Sequence, residues 1–157
     1  MNELVFDAAD ETATERFGSA LAAVLPPGTT VALCGTLGAG KTRLVQAIAA
    51  ACGVPREQVV SPTFVLCQQY CGTREINHLD AYRIRDEDEF RALGVEELTE
   101  SNAITIIEWA DRVSHVLPHD YLQIEIEVTS PTTRRFTVEA IGPPYERTIA
   151  ALATQLS

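Results

Sequence analysis

Apolar positions along the chain follow two periods. Residues 29–34 (TTVALC) and 103–107 (AITII) are short, β-branched and almost wholly apolar, which predicts strands buried in a sheet. Residues 64–70, 121–129 and 136–141 alternate instead, as strands do when one face meets water. Residues 76–79 read as another strand, and residues 4–6 as a short one. Turn signals at Gly72-Thr73 and Ser130-Pro131 predict two hairpins.

The helical period appears at Phe17, Ala20, Leu21, Val24 and Leu25. Thr12-Ala13-Thr14-Glu15 ahead of it has the form of a capping box, and Pro26-Pro27-Gly28 ends it. Residues 41–52 predict a second helix, with Gly53 where a C-terminal cap belongs. Residues 86–93 predict a short helix stopped near Gly94, and residues 146–156 a final one. Buried strands, interleaved helices and two hairpins point to an α/β sandwich with a mixed sheet. Repeats, low-complexity tracts and linkers are absent, so residues 1–157 read as a single domain.

Composition narrows the function. The net charge of -10 makes a broad polyanion-binding face unfavourable, so any role with RNA calls for a partner that holds it. A local cluster of amides and cations is still able to bind a nucleotide. The first residues lack a basic and then apolar leader pattern, and no apolar stretch approaches a membrane span, which predicts a cytoplasmic protein. The four cysteines, Cys34, Cys52, Cys67 and Cys71, lack C-x-x-C spacing and read as inert thiols.

The chemistry is densest at Gly35-Thr36-Leu37-Gly38-Ala39-Gly40-Lys41-Thr42, which matches G-x-x-x-x-G-K-[ST] in full. Gly35, Gly38 and Gly40 let main-chain N–H groups turn inward around phosphates, and the helix that follows adds its positive end. Lys41 is placed to bridge β- and γ-phosphates, and the Thr42 hydroxyl to ligate magnesium. The predicted strand before and helix after the motif are the context it requires. Magnesium-dependent hydrolysis also needs an acid at a neighbouring strand end. Glu108, after ITII, and Asp80, after INHL, are the candidates; either could hold the metal, directly or through water, or orient the attacking water. Ser61-Pro62-Thr63-Phe64 has the position of a nucleotide-sensing switch. His115 and His119 are four apart, but Pro118 argues against a helical zinc site. Arg134 and Arg135, the one adjacent cation pair, suit either a hairpin edge or a nucleotide contact, and Trp109 suits core or interface.

Taken in order, GTLGAGKT, SPTFVLCQQY, HLDAYR, LGVEE and IIEWADR resemble the bacterial TsaE family, formerly YjeE, from about Leu33 to Arg112. The resemblance implies a three-layer α/β/α sandwich of the P-loop NTPase kind. It implies a small ATPase that uses ATP and Mg²⁺ and supports threonylcarbamoyladenosine formation in tRNA. Its implied partners are TsaD and TsaB, which it would reset between turnovers, with tRNA met only through them. Matched by motif, Thr42 and Glu108 correspond to metal ligands, and Asp80 to the second acid of hydrolysis. Residues 61–64 and 78–83 correspond to nucleotide-sensing segments, and Trp109 lies near the nucleotide and partner surface. Adenine contacts are implied near Glu11 and Thr12 and at Arg134. Arg43, counted with the nucleotide-binding segment, departs from the Thr or Ser of many members. Three rivals remain. A small-molecule P-loop kinase would need an arginine-rich lid that the 12 scattered Lys and Arg do not supply. A nucleotide-dependent adaptor would bind without useful hydrolysis. A GTPase would carry N-K-x-D, which is absent.

Overall fold

A computed structural model describes residues 2–60 and 66–157. Its strands are β1 (Glu3–Ala8), β2 (Thr30–Gly35), β3 (Cys67–Cys71), β4 (Glu75–Asp80), β5 (Ile104–Glu108), β6 (Tyr121–Val128) and β7 (Arg134–Ile141). The helices are α1 (Glu11–Val24), α2 (Lys41–Ala51), α3 (Glu87–Arg91), α4 (Val95–Glu100) and α5 (Glu146–Leu156). Three short 3₁₀ turns complete the described chain, including one at Ala110–Val116 directly after β5.

The strands form one mixed sheet in the order β1-β7-β6-β2-β5-β4-β3. The central four, β6, β2, β5 and β4, run parallel to one another. The two expected hairpins are present as β3–β4 and β6–β7, and β1 adds an antiparallel edge on β7. The α/β architecture with a mixed sheet is as expected. Val31, Leu33, Ile104, Ile106, Leu122, Ile124 and Val138 face α1, α2 and α5 in one apolar core. Ala32, Leu79 and Ile107 face the opposite way and pack with Phe90, Val95 and Val113.

The start of α1 corrects one expectation. Asp10, not Thr12, is the N-cap: its Oδ1 accepts from the Ala13 amide at 2.8 Å, two residues earlier than the capping-box pattern implied. Asp10 and Thr12 both offer a side-chain oxygen three positions ahead of an amide, and the one that meets its amide is Asp10. The helix over 86–93 also ends sooner, at Arg91, and α4 follows it after Gly94. The strand over 64–70 begins at Cys67 within the described residues.

Candidate functional site

β2 ends at Gly35 and α2 begins at Lys41, so the glycine-rich motif is the loop between the central strand and the helix above it. Gly35 must be a glycine because a Cβ there would lie 2.8 Å from the Ile126 carbonyl oxygen on β6. Gly40, the N-cap of α2, sits at φ +109, a conformation that L side chains resist. The loop thus turns tightly and presents the N-terminus of a helix to the cleft. Lys41 curls over it: its Nζ donates to the carbonyl oxygens of Gly35 at 2.8 Å and Thr36 at 2.9 Å. The same ammonium lies 3.9 Å from the centre of the Trp109 ring. Burial pushes the Lys41 ammonium below its ordinary value, while the charges of Glu108, Asp80 and Asp111 act against that shift.

The two candidate acids end adjacent strands. Asp80 closes β4, Glu108 closes β5, and the two are paired in register. Both point to the α2 side of the sheet, and both are nearly inaccessible, at 2% and 3% exposure. The Thr42 hydroxyl stands 3.2 Å and 3.1 Å from the two Glu108 oxygens. Asp80 Oδ1 accepts from the Tyr82 amide at 2.8 Å. Leu37, Gly38, Lys41, Thr42, Asp80 and Glu108 line one open cleft of about 580 Å³, with Tyr82, Arg83 and Trp109 at its side. Trp109 is held there by backbone geometry, at φ 59, and by its contact with the Tyr82 ring at 4.8 Å. Arg112 donates to the Tyr82 carbonyl from behind.

Behind Glu108 lies a buried polar run across three strands. His78 Nε2 is 2.5 Å from Glu108 Oε2, and His78 Nδ1 is 3.0 Å from the Tyr70 hydroxyl. Burial, then the negative charge of Glu108, pushes the Tyr70 hydroxyl up to about 12. The sequence pattern shows neither contact, because β3, β4 and β5 must first be paired.

A second recess of about 430 Å³ opens beside the loop. Glu11, Ala39, Gly40, Arg43 and Arg134 are on its wall, together with Phe136. Arg134 is tied in place: its Nε donates to the Ala39 carbonyl at 2.9 Å, and Nη1 to Ser130 and Thr133 carbonyls. Arg43 pairs with Glu11 across the recess. Thr12 is exposed on the first turn of α1 and is not on this wall, whereas Thr14 is. Asp10, Thr14, Pro131, Thr132 and Phe136 carry no local signal that would have singled them out; two segments distant in the chain supply them. Arg135 is elsewhere, paired with Asp7 on the outer strands. Thr36 faces a third, broader groove with Cys34, Asp111 and Glu125. Burial raises the Cys34 thiol to about 11, helped by the Asp111 charge.

The switch candidate at residues 61–64 lies outside the described residues. His115 is bound to Glu87, and His119 to Asp120. Among the described residues no group of three or more His, Cys, Asp and Glu could hold a metal ion by itself. The oxygens of Thr42 and Glu108 could serve a hard cation that takes its remaining ligands from phosphate and water. Among the described residues no helix is long and apolar enough to cross a membrane.

The profile of a family described as threonylcarbamoyl adenosine biosynthesis protein TsaE matches residues 8–136. A tRNA threonylcarbamoyladenosine biosynthesis protein TsaE from Treponema pallidum (strain Nichols) is 34% identical over 125 residues, or 80% of this chain and 92% of that protein. The protein of the same name from Bacillus subtilis (strain 168) is 34% identical over 147 residues, or 93% and 91%. The crystal structure of Bacillus subtilis YdiB aligns with a TM-score of 0.83 and 27% identity over 99% of this chain and 97% of that one.

Proposed function

The chain belongs to the TsaE family of threonylcarbamoyladenosine biosynthesis proteins, and from that premise we propose that it is a magnesium-dependent ATPase. In this reading it works in the cytoplasm, binds TsaD and TsaB, and uses ATP to reset them between rounds of tRNA modification. It meets tRNA only through those partners, as its net charge of -10 favours. It does not itself transfer the threonylcarbamoyl group.

The observation that carries the reading is the meeting of the Thr42 hydroxyl with both Glu108 oxygens, at 3.2 Å and 3.1 Å, at the N-terminus of α2. Those hard oxygens suit magnesium, and the loop amides and Lys41 suit phosphate. Magnesium, when bound, would neutralise charge on the β- and γ-phosphates. Lys41 would exchange its two carbonyl partners for phosphate oxygens, and its lowered pKa reflects a burial that such a partner relieves. Asp80, beside Glu108, would orient the water that attacks the γ-phosphorus as the bond to the bridging oxygen breaks and ADP leaves. Glu11, Arg43 and Arg134 would bound the recess that takes the base. TsaD and TsaB would complete the site, so the chain alone is slow.

Phosphate release from ATP, with the protein alone and then with TsaD and TsaB, tests this. Stimulation by the partners, abolished by Lys41→Ala and by Glu108→Ala, is the expected result. ATP binding without hydrolysis in any mixture would reduce the protein to a nucleotide-dependent adaptor.

A further inference from the structure

The polar run behind Glu108 has a definite direction. Tyr70, His78 and Glu108 lie on successive strands and on the same face of the sheet. Gln68 is the register partner of His78, and Ile106 is its partner on the other side, so each contact is diagonal, two residues along. His78 is fully buried, Tyr70 is 5% exposed and Glu108 is 3% exposed. Water has no easy route to replace His78 or Tyr70, which lie behind the cleft. A carboxylate accepts hydrogen bonds only, so a neutral His78 must carry its proton on Nε2, aimed at Glu108 Oε2. Nδ1 is then an acceptor, and the Tyr70 hydroxyl donates a hydrogen bond to it at 3.0 Å. The other tautomer would set a nitrogen lone pair against the carboxylate. The carboxylate therefore fixes the tautomer, and the Tyr70 hydroxyl, bonded to Nδ1, holds the ring in the plane in which Nε2 meets Glu108.

That grip has a consequence for the cleft. The last torsion of a glutamate is broad and two-fold. Held at Oε2, the carboxylate plane is stopped with both oxygens facing the Thr42 hydroxyl. We propose that His78, oriented by Tyr70, is a positioning residue that fixes the Glu108 carboxylate for magnesium. This rests on the ATPase reading above, and its readout is metal dependence of binding, not turnover.

The probe is a fluorescent N-methylanthraniloyl-ATP, titrated into the full chain in EDTA and then across a range of MgCl₂. For His78→Leu, the Mg²⁺ concentration for half-maximal binding should rise about 10-fold, while affinity in EDTA stays within about 2-fold. His78→Gln, which keeps an N–H near the Nε2 position, should recover most of that loss. Tyr70→Phe should show a smaller rise, about 3-fold, because the imidazole loses only its orienting partner. Equal losses in EDTA and in Mg²⁺, with no recovery in His78→Gln, would mean that His78 only packs, and would overturn the proposal. So would a His78→Leu protein with wild-type Mg²⁺ dependence, which leaves the ATPase reading intact. Wild-type binding that is absent, or indifferent to Mg²⁺, would remove the proposal together with the metal site beneath it. If His78→Leu does not fold, Tyr70→Phe decides: wild-type Mg²⁺ dependence there overturns the proposal.

Discussion

The two halves of the sheet are built on different terms. In the parallel half, β5 (ITIIE) is buried at every position, and β2 and β4 are nearly so. Helices cover both faces there. In the antiparallel half, β6 alternates between buried and accessible residues, and α1 and α5 cover one face while Gln123, Glu125 and Glu139 line the other. The contrast shows where chemistry is possible. A strand covered on both faces can hold a charged group cheaply only at its end, where a cleft begins, and Asp80 and Glu108 are both strand ends. A strand open on one face can carry carboxylates anywhere along it, so charge there says little about function.

If the antiparallel half chiefly supplies stability, its aromatic stack is the place to break it. Phe17 lies between Phe6 and Phe136, with ring centroids 5.1 Å and 4.6 Å away. Phe17→Ala should cost about 3–5 kcal/mol in urea unfolding through the cavity it leaves. A loss near zero would mean that the stack collapses around the gap and that this half is not the anchor. The parallel half should respond in the opposite sense. Glu108→Gln should lower partner-stimulated ATP hydrolysis about 100-fold or more. Its melting temperature should remain within about 4 °C of wild type, because the replaced group stays hydrogen-bonded in shape and size. A large drop in melting temperature would instead make Glu108 a structural residue.

The buried run offers a finer test by pH. Tyr70 is raised to about 12 in the folded chain, whereas an unfolded tyrosine ionises near about 10. The folded state therefore keeps a proton that the unfolded state loses. The resulting stability is fully present below about pH 10 and is lost as pH rises toward 12. Comparing urea midpoints at pH 9 and pH 11, wild type should lose about 1 kcal/mol more than Tyr70→Phe. Equal losses would place the phenol in contact with water. The smallest effect belongs to the open face: Glu125→Gln should change stability by less than about 0.5 kcal/mol, since its side chain meets solvent. A larger change would show that something in the chain covers that face.

Several of these features were readable in advance. The glycine-rich loop, the strand before it and the helix after it follow from local residue types, because each is dictated within a few residues. The β3–β4 and β6–β7 hairpins were likewise marked by their turns. α4 and the 3₁₀ turn after Glu108 were not, since each is too short to show a period. Asp10 in place of Thr12 at the first cap shows the same limit from the other side: two local signals of one kind lie two residues apart, and the pattern does not rank them.

The sequence by itself determined which groups the protein could use: a glycine-rich loop, one lysine, one threonine and two carboxylates at the ends of apolar runs. Those depend on covalent chemistry and on periods of a few residues. Only the tertiary structure decided which groups meet. The register of β4 on β5 sets Asp80 beside Glu108. The position of α2 above that pair brings Thr42 to the carboxylate. The pairing of β3 on β4 places Tyr70 against His78. Thr42 and Glu108 are 66 residues apart in the chain, a separation that no local pattern spans and that hydrogen-bonded strands and a closed core alone can close.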